Sequence, residues 1–337
     1  MKKLYVIGNG FDLNFGLSTK TRDFVTELEK IKFDCFSSAR DIYSSYGVDW
    51  SSFEEDLANL DIEEIDEEVT EAPDYMADLD STRDGVVLKV EEYTENLLDA
   101  REKALRNMIA NAEKQISKIG TISYADFFDS NGVILSFNYT STVESLFDYD
   151  KEVFHIHGSY NSDDVLVFGF KSDSADFERY SRKLDSAKNA RMQQEILELK
   201  NNQSLSEEEK NHSIEELKYC YEQEWNDPFL DKEYEAIANF YQKNKKNFQY
   251  DKLDTFLNDV GKIDQVVVLG HGLGDVDREY FELIEKTLSP SHWIVSAYDD
   301  EDVLWMKKIC ESYSFKDKCE VRKMTDILTN AIPATIS

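Results

Sequence analysis

Three short apolar runs constrain the fold of this chain more than any other feature. They lie at residues 4–8 (LYVIG), 133–137 (VILSF) and 266–270 (VVVLG). Each run is nearly free of polar residues and is followed at once by small or polar ones. Such runs are typical of parallel strands that have helices on both faces. Three further runs complete the predicted sheet: residues 293–298 (WIVSAY), 153–157 (VFHIH) and 165–170 (VLVFGF).

The segments between these runs are predicted to be helical. Apolar residues recur at helical spacing between Val86 and Ile116, and Ser206 with Glu209 forms a capping box before another helical stretch. We therefore predict an α/β fold, a Rossmann-like parallel sheet flanked by helices with two α-helical insertions. The whole chain, 1–337, would form one discontinuous domain, with a core at about 1–56, 131–170 and 262–337 and insertions at 57–130 and 171–261.

The charge of the chain excludes some classes of partner. With 38 Lys and Arg against 69 Asp and Glu, the formal net charge is -31, the wrong sign for direct binding to nucleic acid or to an anionic membrane surface. Residues 54–80 alone carry 13 acidic side chains and no basic one, which indicates a solvated helical surface and a loop. No apolar stretch approaches the roughly 20 residues of a membrane span. The four cysteines have no paired spacing, so we expect reduced thiols and a cytoplasmic location.

Ligands of parallel α/β sheets bind beyond the carboxyl ends of the strands, so the residues after each run are the candidates for chemistry. The first run leads into a turn with glycines at positions 8, 10 and 16. Glycines here allow a tight turn and a close approach to a pyrophosphate, whose charge free N–H groups at the helix start would meet. Glycines at a strand-to-helix turn can equally be structural. The candidate ligand-binding residues of this turn are Gly8, Asn9, Gly10, Phe11, Asp12 and Gly16.

The second run is followed by Asn138 and Tyr139. In the functional interpretation, the Asn138 amide contacts a ribose hydroxyl or holds a water. In the structural interpretation, Asn138 caps the next helix.

Two histidines, His155 and His157, precede Gly158. Strand alternation would put both imidazoles on one face, which admits a metal site with His271 and an acid such as Asp275. No nearby ligand completes that site by spacing, so no metal is expected. A single histidine before glycine suits a general base or a ribose contact better, and His155 could also be a core residue.

The run at 266–270 leads into Gly270, His271 and Gly272, followed by Asp275 and Asp277. The glycines indicate close approach of the backbone to a ligand, and one of the two acids is expected to cap the next helix. Strand ends with small or polar residues recur at four places in the chain. Together they predict one cleft.

Several strings, in order along the chain, resemble the AbiH family of bacterial abortive-infection proteins. They are IGNGFDLNFGLSTKTRDF, W-x-x-FE at Trp50, SFNYTSTVESLF, HIHG and LGHGLGDVD. That family in turn looks like a distant branch of the sirtuin-like NAD-binding fold. The chain departs from the sirtuin pattern at Ser18, where proline is usual, at Thr140, where an acid is usual, and in lacking a four-cysteine zinc module.

The resemblance implies an effector of anti-phage defence that cleaves NAD⁺ to nicotinamide and ADP-ribose. NAD⁺ would be the substrate, with Asn138 and His157 as catalytic residues and with Asp12 or Glu54 stabilising the developing cation. The glycine turns, Tyr139, Gly158, His271 and Asp275 would contact the nucleotide. The helical insertions would bind a second copy of the chain or an activator. The alternatives are a nucleotide-binding sensor without turnover, a metal-dependent nuclease or hydrolase using His155, His157 and His271, and a purely structural interaction protein.

Overall fold

The computed structural model describes residues 1–32, 54, 80–122, 127–147, 151–162, 165–171, 174–202, 204–224 and 238–328. Within this part of the chain, six strands form one parallel sheet in the order β3-β2-β1-β4-β5-β6. The strands are β1 (Lys3–Ile7), β2 (Val133–Ser136), β3 (Phe154–His155), β4 (Gln265–Leu269), β5 (His292–Ala297) and β6 (Cys319–Lys323). This order is that of a Rossmann sheet, in which ligands bind where the order reverses, between β1 and β4.

Helices cover both faces of the sheet. They are α1 (Asn9–Asn14), α2 (Thr21–Glu29), α3 (Asp80–Ile116), α4 (Thr142–Leu146), α5 (Ser174–Asn201), α6 (Glu207–Glu224), α7 (Tyr250–Val260), α8 (Arg278–Leu288), α9 (Asp300–Cys310) and α10 (Met324–Ile327). Single 3-10 turns lie at Asp275–Asp277 and Lys316–Lys318. The predicted capping box is confirmed at the start of α6, where the side chains of Ser206 and Glu209 each bond the other residue's backbone N–H. No helix among the described residues combines the length and the apolar character needed to cross a membrane.

The central strands are apolar throughout because both faces of the sheet are buried. In β1, Leu4 and Val6 belong to the core on one face, while Tyr5 and Ile7 belong to the core on the other. The strand pairs on both sides, with Leu4 opposite Val133 of β2 and Val266 of β4. The apolar runs at 4–8, 133–137, 266–270 and 293–298 are confirmed as strands β1, β2, β4 and β5.

Two predicted strands differ from the structure. Residues 165–170 form no strand; Val167 donates its N–H to the His157 carbonyl, while Phe168 and Phe170 are buried in a separate helical core. The run at 153–157 pairs only at Phe154 and His155. The sixth strand of the sheet is instead β6, a charged edge strand that the apolar pattern missed.

The predicted amphipathic helix at 86–116 is confirmed within α3. Its middle part packs in the helical core with α2, the 165–170 segment and the helical residues 238–243, through Leu97 and Leu105. Its last turn contributes Ala112 and Ile116 to the core beneath the sheet. The helix therefore passes beside the carboxyl edge of the sheet. The division of the chain into a core and two insertions stays a prediction.

Candidate functional site

A pocket opens at the carboxyl edge of the sheet, next to the turns that follow β1, β2 and β4. The residues that line it are Asn9, Asp12, Thr19, Glu54, Met108, Ile109, Phe137, Asn138, Tyr139, Thr140, His157, His271 and Asp277. The cavity measures about 90 Å³. On this measure one water needs roughly 10–15 Å³. The cavity thus has room for several waters or for a sugar-sized part of a ligand, and a whole dinucleotide would extend beyond it.

The glycines after β1 and β4 allow two backbone turns to pack directly against each other. A Cβ on Gly8 would lie 2.7 Å from the Gly270 carbonyl oxygen, and one on Gly10 would lie 2.9 Å from it. Gly270 has φ +71° and no room for a side chain beside the Phe11 nitrogen. The N–H groups of Gly8 and Gly10 donate to the carbonyls of Leu269 and Gly270. These glycines are therefore explained by close packing, and two of the expected phosphate donors already have partners.

The other residues predicted to contact a nucleotide in these turns lie in different surroundings. The Phe11 side chain is buried against Phe15 and Phe147, away from the pocket, and its N–H donates to Gly8. Gly16 has φ +73° with open space around it, and Gly272 is exposed. In the first turn, Asn9 and Asp12 are the residues that line the pocket.

Asp12 is a carboxylate held by two hydroxyl groups. It is buried on α1, and its oxygens accept hydrogen bonds from Thr140 Oγ1 at 2.6 Å and Thr142 Oγ1 at 2.7 Å. Burial raises the pKa of Asp12 to about 6, and the hydrogen bonds from the two threonines limit the rise. Thr140, after β2, thus holds an acid supplied by the end of another strand, β1.

Asn138 is buried and tied to the neighbouring turns. Its Nδ2 donates to the Gly8 carbonyl at 3.1 Å, and its backbone N–H donates to Ser136 Oγ at 3.1 Å. The amide thereby links the end of β2 to the end of β1 at the wall of the pocket. Tyr139 lies beside it and donates its hydroxyl to the Val167 carbonyl at 2.7 Å. The side chain of Asn138 does not cap α4, whose N-cap is Ser141.

The structure separates the two histidines that alternation would put on one face. The strand ends at His155, so alternation no longer applies at His157, where the chain turns towards Gly158 at φ +84°. His155 contacts the Asn138 carbonyl through Nδ1 at 2.8 Å and Glu144 through Nε2 at 2.7 Å. His157 instead faces Asp277. The three histidines of the metal hypothesis are therefore not brought together, although His157 and His271 both lie beside Asp277.

Both ring nitrogens of His155 face acceptors, so both must donate, which requires the imidazolium form. Burial alone would lower the pKa of His155, but the Glu144 carboxylate and the Asn138 carbonyl raise it. These two contacts favour the imidazolium form of His155 and hold the backbone of Asn138 in place.

His157 is buried in the pocket wall, with 4% of its surface exposed. Its ring packs edge-on against Phe137. Burial, and next the Lys246 ammonium, lower the pKa of His157 to about 3, so the ring is neutral at physiological pH. Its Nε2 atom is buried and has no hydrogen-bond partner among the described residues.

A buried ammonium group lies behind this wall. Lys246 Nζ is fully buried and lies 3.0 and 3.1 Å from the two carboxylate oxygens of Glu54 and 2.9 Å from Asp277 Oδ1. Asp277 Oδ2 lies 3.2 Å from His271 Nε2. Burial opposes ionisation of Lys246, but the two carboxylates raise its pKa above the usual range. Burial likewise disfavours ionised Asp277, yet Lys246 holds the pKa of that carboxyl well below its usual range.

The structure brings seven of the residues predicted from the sequence to one pocket: Asn9, Asp12, Glu54, Asn138, Tyr139, His157 and His271. Asp275 does not join them: it is exposed and pairs with Arg278. Sequence reasoning missed Lys246, Met108 and Ile109, and treated Asp277 as an alternative helix cap. Lys246, Met108 and Ile109 lie in segments that carry no motif after an apolar run, and no sequence signal pairs Lys246 with Glu54, 192 residues away.

The comparisons with known proteins agree with the resemblance of the strand-end motifs. A model of the family described as "Bacteriophage abortive infection AbiH" matches residues 4–298, which include every residue that lines the pocket. Searches of curated proteins and of solved structures each gave no significant match. Because the family model covers most of the 337 residues, the chain belongs to the AbiH family of bacteriophage abortive-infection proteins.

Proposed function

We propose that the protein acts in phage abortive infection as an NAD⁺ glycohydrolase, on a sirtuin-like variant of the Rossmann fold. One observation carries the proposal: beside the reversal of strand order in a Rossmann-ordered sheet, the segments after β1, β2 and β3 bring Asp12, Asn138 and His157 to one pocket, which His271 after β4 also lines. Sheets of this order bind nucleotides at that place. The size of the cavity supports a sugar-sized reacting group inside it, with the rest of the dinucleotide lying outside.

The chemistry needs few groups from the protein. The C1′–N1 bond of NAD⁺ breaks, and its electron pair leaves with nicotinamide. A water attacks C1′ and its proton passes to a ribose hydroxyl, which gives its own proton to Nε2 of His157 and from there to solvent; the products are nicotinamide, ADP-ribose and a proton. The transition state resembles an oxocarbenium ion, so nearby negative charge stabilises it. Asp12 is the carboxylate on the Asn138 side of the pocket, and Asn138 orients the ribose or the water.

The proposal is tested by measuring NAD⁺ consumption in phage-infected cells and with purified protein. We expect Asn138→Ala and His157→Ala each to reduce the rate by at least about 100-fold, as loss of a general base does, while the circular dichroism spectrum stays unchanged. His212→Ala is the matched control, because His212 is a surface histidine whose side chain is 74% exposed. The proposal fails if the wild type leaves NAD⁺ intact in infected cells and both variants still protect the culture.

A nucleotide-binding sensor without turnover is the second candidate. The low pKa of His157, about 3 because of burial and next of Lys246, makes the ring a weak proton acceptor and favours this candidate. A calorimetric titration that detects binding of NAD⁺ or ADP-ribose, with no product by chromatography, selects the sensor. Release of nicotinamide selects the hydrolase.

We also propose that the helical segments outside the sheet contact a second copy of the chain or an activating partner. On the helix pair α5 and α6, Leu197 and Tyr219 are apolar or aromatic side chains with 58% and 62% of their surface exposed. Light scattering on protein from uninfected and infected cells tests this. A monomer in both states contradicts oligomer formation.

A further inference from the structure

Two hydrogen-bond acceptors face each other across one side of the pocket without a donor between them. His157 Nε2 and Asp277 Oδ1 are 3.7 Å apart, too far for a direct hydrogen bond, and both residues line the cavity. Nε2 of His157 is buried and has no hydrogen-bond partner among the described residues. When the ring is neutral and carries its proton on Nδ1, Nε2 presents a lone pair.

The orientation of Asp277 is fixed from two sides. Leu273 donates its backbone N–H to His271 Nδ1 at 3.0 Å, so Nδ1 accepts a hydrogen bond and the ring proton is on Nε2. That Nε2–H donates to Asp277 Oδ2 at 3.2 Å, while Lys246 donates to Oδ1 at 2.9 Å. A carboxylate oxygen can accept more than one hydrogen bond. Oδ1 therefore keeps an acceptor site on the side of His157.

Lys246 itself has no proton to offer a ligand. Its ammonium group has three, and the three short contacts to Glu54 and Asp277 account for all of them. The side chain is fully buried and does not line the cavity. Lys246 therefore acts on a ligand only through the carboxylates that it holds.

A buried acceptor without a donor costs free energy, and two neighbouring acceptors repel each other. A ligand with two adjacent O–H groups satisfies both. We propose that Asp277 and His157 together accept hydrogen bonds from neighbouring hydroxyl groups of a sugar, and that Lys246 is the positioning residue for Asp277. The inference deepens the proposed function, on which it rests for the identity of the sugar, the ribose next to nicotinamide.

The opposite orientation of the acids in this loop provides a matched control. Asp275 and Asp277 are two residues apart, but Asp275 points to solvent and pairs with Arg278 at 2.7 Å. Replacing Asp277 with asparagine keeps its shape and removes its charge. One of the donors from Lys246 and His271 then faces an amide NH₂, so Asp277→Asn cannot keep all its contacts, whereas Asp275→Asn changes only a surface pair.

The experiment compares NAD⁺ with an analogue that lacks the 2′-hydroxyl of the nicotinamide ribose. Binding is measured by calorimetry, or as KM if the ligand is consumed, in the wild type, Asp277→Asn, Lys246→Met and Asp275→Asn. We expect the wild type and Asp275→Asn to bind NAD⁺ about 10 to 100 times more tightly than the analogue, as for a hydrogen bond to a charged group. In Asp277→Asn and Lys246→Met, this preference should fall to less than about 3-fold.

The preference is the ratio of the affinities for NAD⁺ and for the analogue. A substitution that only disturbs the structure weakens the binding of both ligands equally and leaves this ratio unchanged. If Lys246→Met does not fold, Asp277→Asn alone decides the role of the carboxylate, and Lys246→Arg, which keeps the charge, decides the positioning role by retaining part of the preference. Equal preference in the wild type and Asp277→Asn overturns the inference, even if NAD⁺ is hydrolysed. Absence of binding of both ligands to the wild type also overturns it. A preference that depends on Asp277 without any hydrolysis supports the inference and contradicts the proposed function.

Discussion

Replacing Lys246 with methionine tests how the buried charges around the pocket are balanced. Methionine matches the lysine stem in length and fits a buried site, but it removes the ammonium that lies between Glu54 and Asp277. Unit charges about 3 Å apart attract by about 5–6 kcal/mol at an effective dielectric constant of about 20. Part of this is offset because a buried ammonium no longer has to be desolvated. We expect the free energy of unfolding at pH 7 to fall by about 3–5 kcal/mol, as for other buried pairs that lose one partner.

The electrostatic reasoning also predicts the direction in which the effect of Lys246→Met changes with pH. In the wild type, burial works against ionised Asp277, but Lys246 outweighs it and lowers the pKa, so the stabilisation is present above the unfolded value of 3.8 and lost only in strong acid. Burial already raises the pKa of Glu54 to about 7 in the wild type, and without Lys246 it also raises the pKa of Asp277 above the unfolded value. The folded variant then binds more protons than the unfolded chain, and its stability rises as the pH falls from 7 to 5. The difference in the free energy of unfolding between the wild type and Lys246→Met should therefore decrease by at least about 1 kcal/mol between pH 7 and pH 5.

Urea denaturation at pH 5, 6 and 7 measures both quantities. Lys171→Met is the control, because Lys171 forms an exposed ion pair with Glu279, and such pairs contribute about 0–1 kcal/mol. A deficit below about 1 kcal/mol at pH 7, or one that does not change with pH, would refute the electrostatic reasoning. A difference in unfolding free energy that increases as the pH falls would show that the predicted direction of the pH dependence is wrong.

Two further predictions concern the turns around the pocket. Gly8→Ala should lower the free energy of unfolding by about 1–3 kcal/mol, because the new Cβ would lie 2.7 Å from the Gly270 oxygen. The control Gly120→Ala, with open space around the glycine, should change this free energy by less than about 0.5 kcal/mol. Equal effects of the two substitutions in urea denaturation would contradict the packing argument. His155→Gln should destabilise the protein most below pH 6.5, with the deficit shrinking as the pH rises through the raised pKa of His155, since a raised histidine pKa stabilises only while the ring is protonated. The same deficit at pH 6 and pH 9 would show that His155 contributes no charge.

The strands of the sheet were predictable where burial on both faces makes their sequence almost entirely apolar. Residues 4–8, 133–137 and 266–270 are apolar because each strand packs against a core on either side. The strand β6 has no such trace, since its sequence Cys-Glu-Val-Arg-Lys is that of a partly exposed edge. Residues 165–170 are as apolar as a strand, but their phenylalanines are buried by helices instead. An apolar composition indicates that a segment is buried, but it does not indicate whether strands or helices bury it.

The site was predictable in its strand-end residues and not in the groups behind them. Asn138 and His157 follow apolar runs, and the rule that parallel strands end at one edge of the sheet places them together. Which of the two acids, Asp275 or Asp277, faces the pocket depends on the rotation of the 3-10 turn that contains both. The sequence pattern does not encode that rotation. Lys246 meets Glu54 only through tertiary packing. The opposite surroundings of His155 and His157 depend on the strand ending between them.

The pairing of β1 with β4 also determines when the pocket can exist during synthesis. Ile7 pairs with Leu269, and Gly8 donates to Leu269, so the first strand waits for a partner that is made about 260 residues later. At about 5–20 residues per second, the wait is about 13–50 seconds. His271 and Asp277 arrive later still. A nascent chain stopped before residue 265 therefore has no assembled pocket.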